Sequence, residues 1–480
     1  MLAKNIIAGK ESSAKGTKIY QRLNPSNGDL VSEYRESNPS VINEAIDYAE
    51  TALYEGKWST NPKLRAHILH RIYELILNNV NELAKIQSME TGKILKDSVA
   101  EIKTASDIFD FYSGVARSLY GKTLVPEEGL ISITFREPVG VVAIIVPWNS
   151  PIVLLARSLA PALAAGNSVI VKPSSLTPLT IYKFIKLMLD NSPEIPLGVL
   201  NLIQGSGSRV GRDLILSPKV NMVSFTGSTE TGKQIMKDSS MTVKRLSLEL
   251  GGKSPNIIFS DANIENAVLG AIKGSMFGSA TQICFAGTRL LVQQEIHEKF
   301  ISRVKELLKG MKVGNALDND VSVGPVVSAE QHKKVLDFIE YGKENSNLLS
   351  GGYKLKGGEY AKGYYIPPTV FDHVDPNSKI AQDEIFGPVI SIIPFSTKDD
   401  AIELANRTKY GLSAAVWTTN INTALDVAKR IKAGTVWVNT YGKMLSETES
   451  GGYKQSGIGR SRGVIGLESY TELKNIVIEA

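Results

Sequence analysis

The sequence predicts an α/β protein of two lobes, and three observations carry that prediction. From residue 141 onward, short apolar runs rich in Val and Ile alternate with stretches in which apolar residues recur every three to four positions, the pattern of βαβ units around a parallel sheet. Loops rich in Gly, Ser and Pro follow these runs, "PWNSP", "KPSSLTP", "QGSGS" and "TGSTETG", and in such sheets ligands bind beyond the carboxyl ends of the strands. A second alternating stretch opens near residue 251, with no internal repeat or low-complexity linker before it. A length of 480 residues with 42% hydrophobic composition supplies more than one core, and suggests roughly two to four domains.

Taken in order, residues 40–118 show helical periodicity with charged faces, as in "VINEAIDYAETALYEGKW" and "LRAHILHRIYELILNNVNELAKIQ", and predict two or three surface helices. "KTLVPEEGLISITFREPVG" (122–140) alternates as a strand or hairpin does. "VVAIIV" (141–146) is a buried strand, "PIVLLARSLAPALAAG" a helix, "SVIVK" (168–172) a strand and "LTIYKFIKLMLDN" a helix. "VLNLIQ" (199–204), "SRVGRDLIL" and "VNMVSF" (220–225) continue the alternation. The second lobe supplies "NIIF" (256–259), "TRLLVQ" (288–293), a helix over 295–309 and "PVISIIPF" (388–395).

Lysine and arginine number 54 against 49 acidic residues, a net charge of +5 with the positives interleaved among the negatives, so nucleic acid is not implied. The longest apolar run, "VGVVAIIVPW" (139–148), is about half of the ~20 residues needed to cross a bilayer. The N-terminal "MLAKNIIAGKESSAKG" lacks the sustained apolar segment of a signal peptide. A soluble, cytoplasmic protein with no membrane partner is expected. The five histidines, His67, His70, His297, His332 and His373, are scattered without metal-ligand spacing, and no metal is expected.

Cys284 is the single cysteine, which excludes an internal disulfide and suits a reducing compartment. A lone cysteine is by default a small buried hydrophobe. Its flanks, however, hold the small residues Gly278, Ser279, Ala280, Ala286 and Gly287, where backbone can approach a ligand closely. "GSGSRVG" (205–211) reads equally as a strand-to-helix turn and as a nucleotide loop, since its glycines do not fit GxGxxG. "FTGSTETG" (225–232) sets Gly227 and Ser228 ahead of a helix, where backbone N–H groups and a hydroxyl can face a phosphate.

Read together, "PWNSP" (147–151), "AGNSVIVKPSSLTP" (165–178), "FTGSTETG", "LELGGKSPNII" (248–258), "TQICFAGTR" (281–289), "EIFGPV" (384–389) and "GGYKQSGIGR" (451–460) resemble the aldehyde dehydrogenase superfamily, in order and across essentially the whole chain. The resemblance implies oxidation of an aldehyde to a carboxylic acid with reduction of NAD or NADP, and makes Cys284 the nucleophile. A free thiol ionises near pH 8.5, so activation is needed to hold thiolate at neutral pH. The Asn149 amide and the Cys284 N–H would meet the oxyanion that thiolate attack creates. Glu249 would be the base that helps water cleave the thioester. The resemblance further implies Lys172 toward the adenosine ribose, Ser228 toward the pyrophosphate, Glu384 toward the nicotinamide ribose and Phe386 beside the nicotinamide. Val146, Pro147, Trp148, Ser174, Ser175, Gly207, Gly211, Phe225, Thr226, Gly227 and Leu250 complete the implied cofactor set, and Asn149, Ser150, Arg157, Gln282 and Cys284 the substrate set.

By the same resemblance, a Rossmann-like cofactor domain covers 1–118 and 138–250 and an α/β catalytic domain 251–450. A small β oligomerisation element covers 119–137 and 466–480, and its alternating, open-edged strands call for a homo-oligomer, dimer or tetramer. Departures from the family pattern sharpen the expectation. Many NAD-preferring members carry a glutamate where this chain has Ser175; without a carboxylate to repel a 2′-phosphate, NADP is expected to be preferred, with NAD possible. Ser150 and Arg157 replace the aromatic residues found in members acting on apolar aldehydes, so a small polar aldehyde is expected: glyceraldehyde, lactaldehyde or succinate semialdehyde. An aromatic aldehyde is the alternative within the same mechanism. A CoA-acylating dehydrogenase is opposed by Glu249, and a catalytically silent relative by Cys284, Glu249 and Asn149 together. Thr281 stands where a glycine is usual in the cysteine block.

Overall fold

The protein is described from a computed structural model, at all residues except 14–16, 56, 277–279 and 480; the expected small residues Gly278 and Ser279 thus lie outside the described residues. "VVAIIV" forms the strand Val141–Ile145, buried at every position, as suits a strand covered on both faces. It pairs in parallel with Ser168–Lys172 on one side and Met222–Thr226 on the other. Leu200–Leu202 extends the first side and Arg245–Glu249 the second. The chain thus winds outward from residue 141 in one direction and returns to wind in the other, leaving a crevice where the loops after residues 145 and 226 diverge. Antiparallel edges close this sheet: Asn5–Ile7 and Lys10–Ser12 beyond Leu200–Leu202, and Gly457–Ile458 beyond Arg245–Glu249.

The helix Pro151–Ala165 links the first two strands. Proline opens it, where a missing N–H costs nothing, and Gly166, at φ 95°, ends it in the left-handed conformation. Nearly its whole surface is buried, and Arg157 is its one charged residue.

A second sheet runs in the order Asn347–Ser350, Thr369–Asp372, Val389–Phe395, Arg289–Gln293, Pro255–Ile258, Ser413–Trp417, Thr435–Val438, parallel except for its first pair. A third sheet joins Lys122–Glu127 and Leu130–Pro138 to the C-terminal strand Thr471–Glu479. Leu124, Val125, Leu473 and Val477 on this sheet are exposed. No helix among the described residues is long and apolar enough to cross a membrane.

One local expectation is corrected and a second is made specific. Residues 40–118 form four helices, Pro39–Glu55, Pro62–Asn78, Val80–Thr91 and Leu95–Val115, because Asn79 caps one helix and opens the next without interrupting the apolar period. The last of these buries one face, with Ile102, Ile108 and Phe109 fully covered, and exposes Lys96, Lys103 and Asp110 on the other. "GSGSRVG" forms a π-helical turn, Gly207–Gly211, running into the helix Arg212–Leu216.

Candidate active site

The loop after Val141–Ile145 carries Val146, Pro147, Trp148 and Asn149. Val146 N–H donates to the Lys172 carbonyl at 2.9 Å, prolonging the strand pairing. The Asn149 side-chain Nδ2 donates to the Gln282 carbonyl at 3.0 Å. One amide hydrogen therefore fixes the loop of the first lobe to the cysteine loop of the second, and the other remains for a ligand. Cys284 is a free, partly buried thiol. Burial pushes it up to about 12; Arg157 opposes the shift, and Glu384 and Glu249 add to it. The thiol is therefore protonated at neutral pH. The rate of alkylation by iodoacetamide is expected to climb about tenfold per pH unit between about pH 7 and pH 10. A plateau near pH 8 would show a thiolate activated in the resting state.

Glu249 ends the strand Arg245–Glu249, opposite Thr226 in register. Ser461 donates its hydroxyl to Oε1 at 3.3 Å, and Arg157 Nη1 lies 3.8 Å from Oε2. Arg157 Nη2 donates to Thr226 Oγ1 at 2.9 Å, so the guanidinium bridges the carboxylate and the rim of the crevice.

Two cavities meet here. One, of about 180 Å³, is lined by Pro147, Trp148, Thr226, Gly227, Ser228, Leu250, Glu249, Glu384 and Phe386, together with Asn149 and Cys284. The other, of about 140 Å³, holds Asn149, Ser150, Arg157 and Cys284. Among the described residues only Asn149 and Cys284 line both.

In the first cavity the Trp148 and Phe386 rings meet edge to face at 5.3 Å. Phe386 sits at φ 59°, held by Gln331 Nε2 donating to its carbonyl at 2.8 Å and to that of Ile385 at 3.0 Å. Burial pushes the Glu384 carboxyl up to about 7, opposed by the Gly252 N–H that it accepts and by nearby lysines. Ser228 caps the helix Thr229–Ser239 by accepting from Thr231 N–H. The expectation for the Gly227 N–H is corrected: it donates to the Glu249 carbonyl at 3.0 Å and is not free for a phosphate. Gly227 is required for space instead, since a Cβ there would come within 2.3 Å of the Phe225 ring.

The other sequence-named residues lie outside both cavity walls. Gln282 turns its Oε1 to the Val327 N–H at 2.9 Å, bracing the cysteine loop. Lys172 is buried and donates to the carbonyls of Pro173 at 2.7 Å and Gly205 at 2.8 Å; burial lowers it to about 8, against the attraction of Glu36. Ser174 accepts from Leu176 N–H, Ser175 lies against the Tyr34 hydroxyl, Gly211 packs on the Lys172 stem, Gly207 opens the π-helical turn, and Phe225 and Val146 are core residues.

Sequence reasoning missed Gln331 and Lys334 in the first cavity, and Glu101, Thr104, Met444 and Arg462 in the second. It also missed Glu36, whose carboxylate takes the Ser206 N–H and hydroxyl and the Arg209 guanidinium beside Lys172. No local pattern marks these residues. Ser150, named for the substrate, has its hydroxyl engaged: it accepts from Lys93 at 2.8 Å and donates to Glu101 at 2.7 Å.

Thr281 adopts φ 60° and Ala280 φ 49°, a left-handed turn that aims the chain at Cys284. A β-branched residue is strained there, which accounts physically for the usual glycine. Thr281→Gly is expected to stabilise the fold by about 1 kcal/mol; a urea midpoint unchanged or lowered would disprove strain. Elsewhere, His297, Asp372 and His373 bring ligand atoms within 4.8 Å of one another, a cluster that their sequence separation did not suggest. Asp372 accepts from both histidines at 2.9 Å.

Residues 11–476 match the model of the aldehyde dehydrogenase family. Betaine aldehyde dehydrogenase of Bacillus subtilis (strain 168) is 40% identical over 475 residues, 98% of this chain and 96% of its own. A point mutant of Staphylococcus aureus betaine aldehyde dehydrogenase, solved in complex with NAD+ and with a BME-modified cysteine, matches with a TM-score of 0.96 and 37% identity over 99% of this chain and 96% of that one. The NAD-dependent aldehyde dehydrogenase of Sinorhizobium meliloti matches with a TM-score of 0.97 and 35% identity, over 100% and 95% of the two chains.

Proposed function

The chain belongs to the aldehyde dehydrogenase family, and from that membership we propose that it oxidises a small polar aldehyde, of the glyceraldehyde, lactaldehyde or succinate-semialdehyde type, to its carboxylic acid, with NADP preferred over NAD. The observation that carries the reading is that the two cavities meet at the one thiol and one amide, Cys284 and Asn149. One cavity takes the aldehyde and the other the nicotinamide.

Cys284 loses its proton to solvent water, and the sulfur of the resulting thiolate bonds to the aldehyde carbon while the carbonyl π pair moves onto oxygen as an oxyanion. The free Asn149 N–H and the Cys284 backbone N–H donate to that oxygen, and loss of one such donor costs about 3 to 4 kcal/mol of transition-state stabilisation. When bound beside Trp148, Phe386 and Glu384, a nicotinamide would supply the hydride acceptor for that carbon. Glu249 then removes a proton from water as water attacks the thioester; the C–S bond breaks and the acid leaves. Arg157 and Ser461 hold the two Glu249 oxygens while this occurs.

The first cavity suits a nicotinamide ribose. Its aromatic pair, the buried Glu384 and the helix start at Ser228 lie where the sheet reverses its winding. The S. aureus relative is solved in complex with NAD+. Preference for NADP rests on Ser175 and on the exposed Arg209 guanidinium beside the single carboxylate of Glu36. An aldehyde panel run with each cofactor, followed at 340 nm, tests both halves. NADP should give the higher kcat/KM, and a clear advantage for NAD would end that preference. Fastest turnover of an unbranched aldehyde of eight or more carbons would end the polar-substrate reading.

Phe285 and Met444 in the substrate cavity favour an aromatic aldehyde as the second reading. The boundaries 1–118 with 138–250, 251–450, and 119–137 with 466–480 are our proposed domain division. The exposed apolar strands of the third sheet support a homo-oligomer, dimer or tetramer. A cytoplasmic location belongs to the same reading, supported by the single unpaired cysteine.

A further inference from the structure

Arg462 precedes the short helix Gly463–Glu468 at φ 64° and lines the substrate cavity with Arg157, Ser150 and Cys284. It is 6% exposed. A guanidinium brings a full fork of N–H donors, yet among the described residues Arg462 makes one hydrogen bond, a 3.3 Å contact from Nη1 to the Leu445 carbonyl. Its Nε is buried without a partner, as is the Nε of Arg157. Burial lowers Arg462 to about 10, and the like charge of Arg157 adds to that; Tyr112, Asp107 and Glu249 oppose it.

The charges around the cavity do not balance. Lys93 pairs with Glu101, Arg157 faces Glu249, and Arg462 forms no ion pair with a carboxylate among the described residues; Asp107 instead accepts the Ser446 hydroxyl. A buried cation ordinarily has a paired anion and satisfied donors. Here the missing partner would lie in the substrate cavity.

We propose that Arg462 receives the carboxylate at the far end of the substrate, so that the enzyme acts on a semialdehyde bearing an acid group. This rests on the oxidation proposed above and narrows its substrate class. The same two guanidinium groups oppose a cationic aldehyde such as the betaine aldehyde for which several relatives are named. Arg462 thereby becomes a specificity residue for charge, separate from the thiol, the amide and the base.

The test compares kcat/KM of the full-length protein on succinate and glutarate semialdehydes, on their neutral methyl esters and on glyceraldehyde 3-phosphate, in wild type, Arg462→Gln and Arg462→Lys. The wild type should favour the better semialdehyde over its ester by roughly 10- to 100-fold, the scale of one charged hydrogen-bonding partner. Arg462→Gln should erase that preference by slowing the acid alone, and Arg462→Lys should restore part of it. An unchanged circular-dichroism spectrum and thermal midpoint show that the Gln variant is folded. Equal rates on acid and ester in the wild type, an equal loss on both in Arg462→Gln, or a preference for the phosphate over both semialdehydes would each overturn the carboxylate assignment. Failure to oxidise any aldehyde would instead overturn the proposed function itself.

Discussion

Cys284→Ser should lower turnover by about 10⁴-fold or more, the scale seen when a covalent nucleophile is removed. A serine hydroxyl in the same half-buried position has no thiolate-like form to offer at neutral pH, and no other cysteine exists to replace it. The loss should fall on chemistry alone. Asn149 keeps its bond to the Gln282 carbonyl, and the walls of the cavity proposed for the nicotinamide are otherwise untouched, so cofactor binding followed by fluorescence should be unchanged. Residual turnover within tenfold of wild type would remove the covalent mechanism.

Glu249→Gln should separate the two halves of the reaction. The amide keeps the shape of the carboxylate and can still accept from Ser461, but it cannot take a proton from water. A rapid first release of NAD(P)H, close to one per active site, should therefore survive, while steady turnover falls about 10²- to 10⁴-fold. Intact-protein mass spectrometry should then find the acyl group on Cys284. If burst and steady rate fell together, Glu249 would serve the first step. If added CoA restored steady turnover, acyl transfer to a thiol would replace hydrolysis.

The elements most legible in the sequence were those whose burial is continuous. Val141–Ile145, Ser168–Lys172 and Met222–Thr226 coincide with apolar runs to within about two residues, because a strand covered on both faces has no polar alternation to blur it. The helices between Pro62 and Val115 were harder to count: a single asparagine divides two of them while the apolar stripe runs on. Cys284, Glu249 and Asn149 were named from short blocks, and the structure brings them to one place. Arg462, Glu101 and Gln331 were not named, since each reaches its cavity from a distant segment and no local spacing encodes such a meeting. Gln282 shows the converse: its block was recognised, but its side chain serves the backbone at Val327.

The Asn149 to Gln282 bond has a wider meaning than the orientation of one amide. The prospective acid–base group hangs from one β-sheet and the sulfur from the loop leading into another, with Gly252 pressed against the Cys284 carbonyl at the junction. Neither half of the molecule holds all three of Asn149, Glu249 and Cys284. Reactivity is thus a property of the seam, and loosening the seam would silence the chemistry while each half still kept its own architecture.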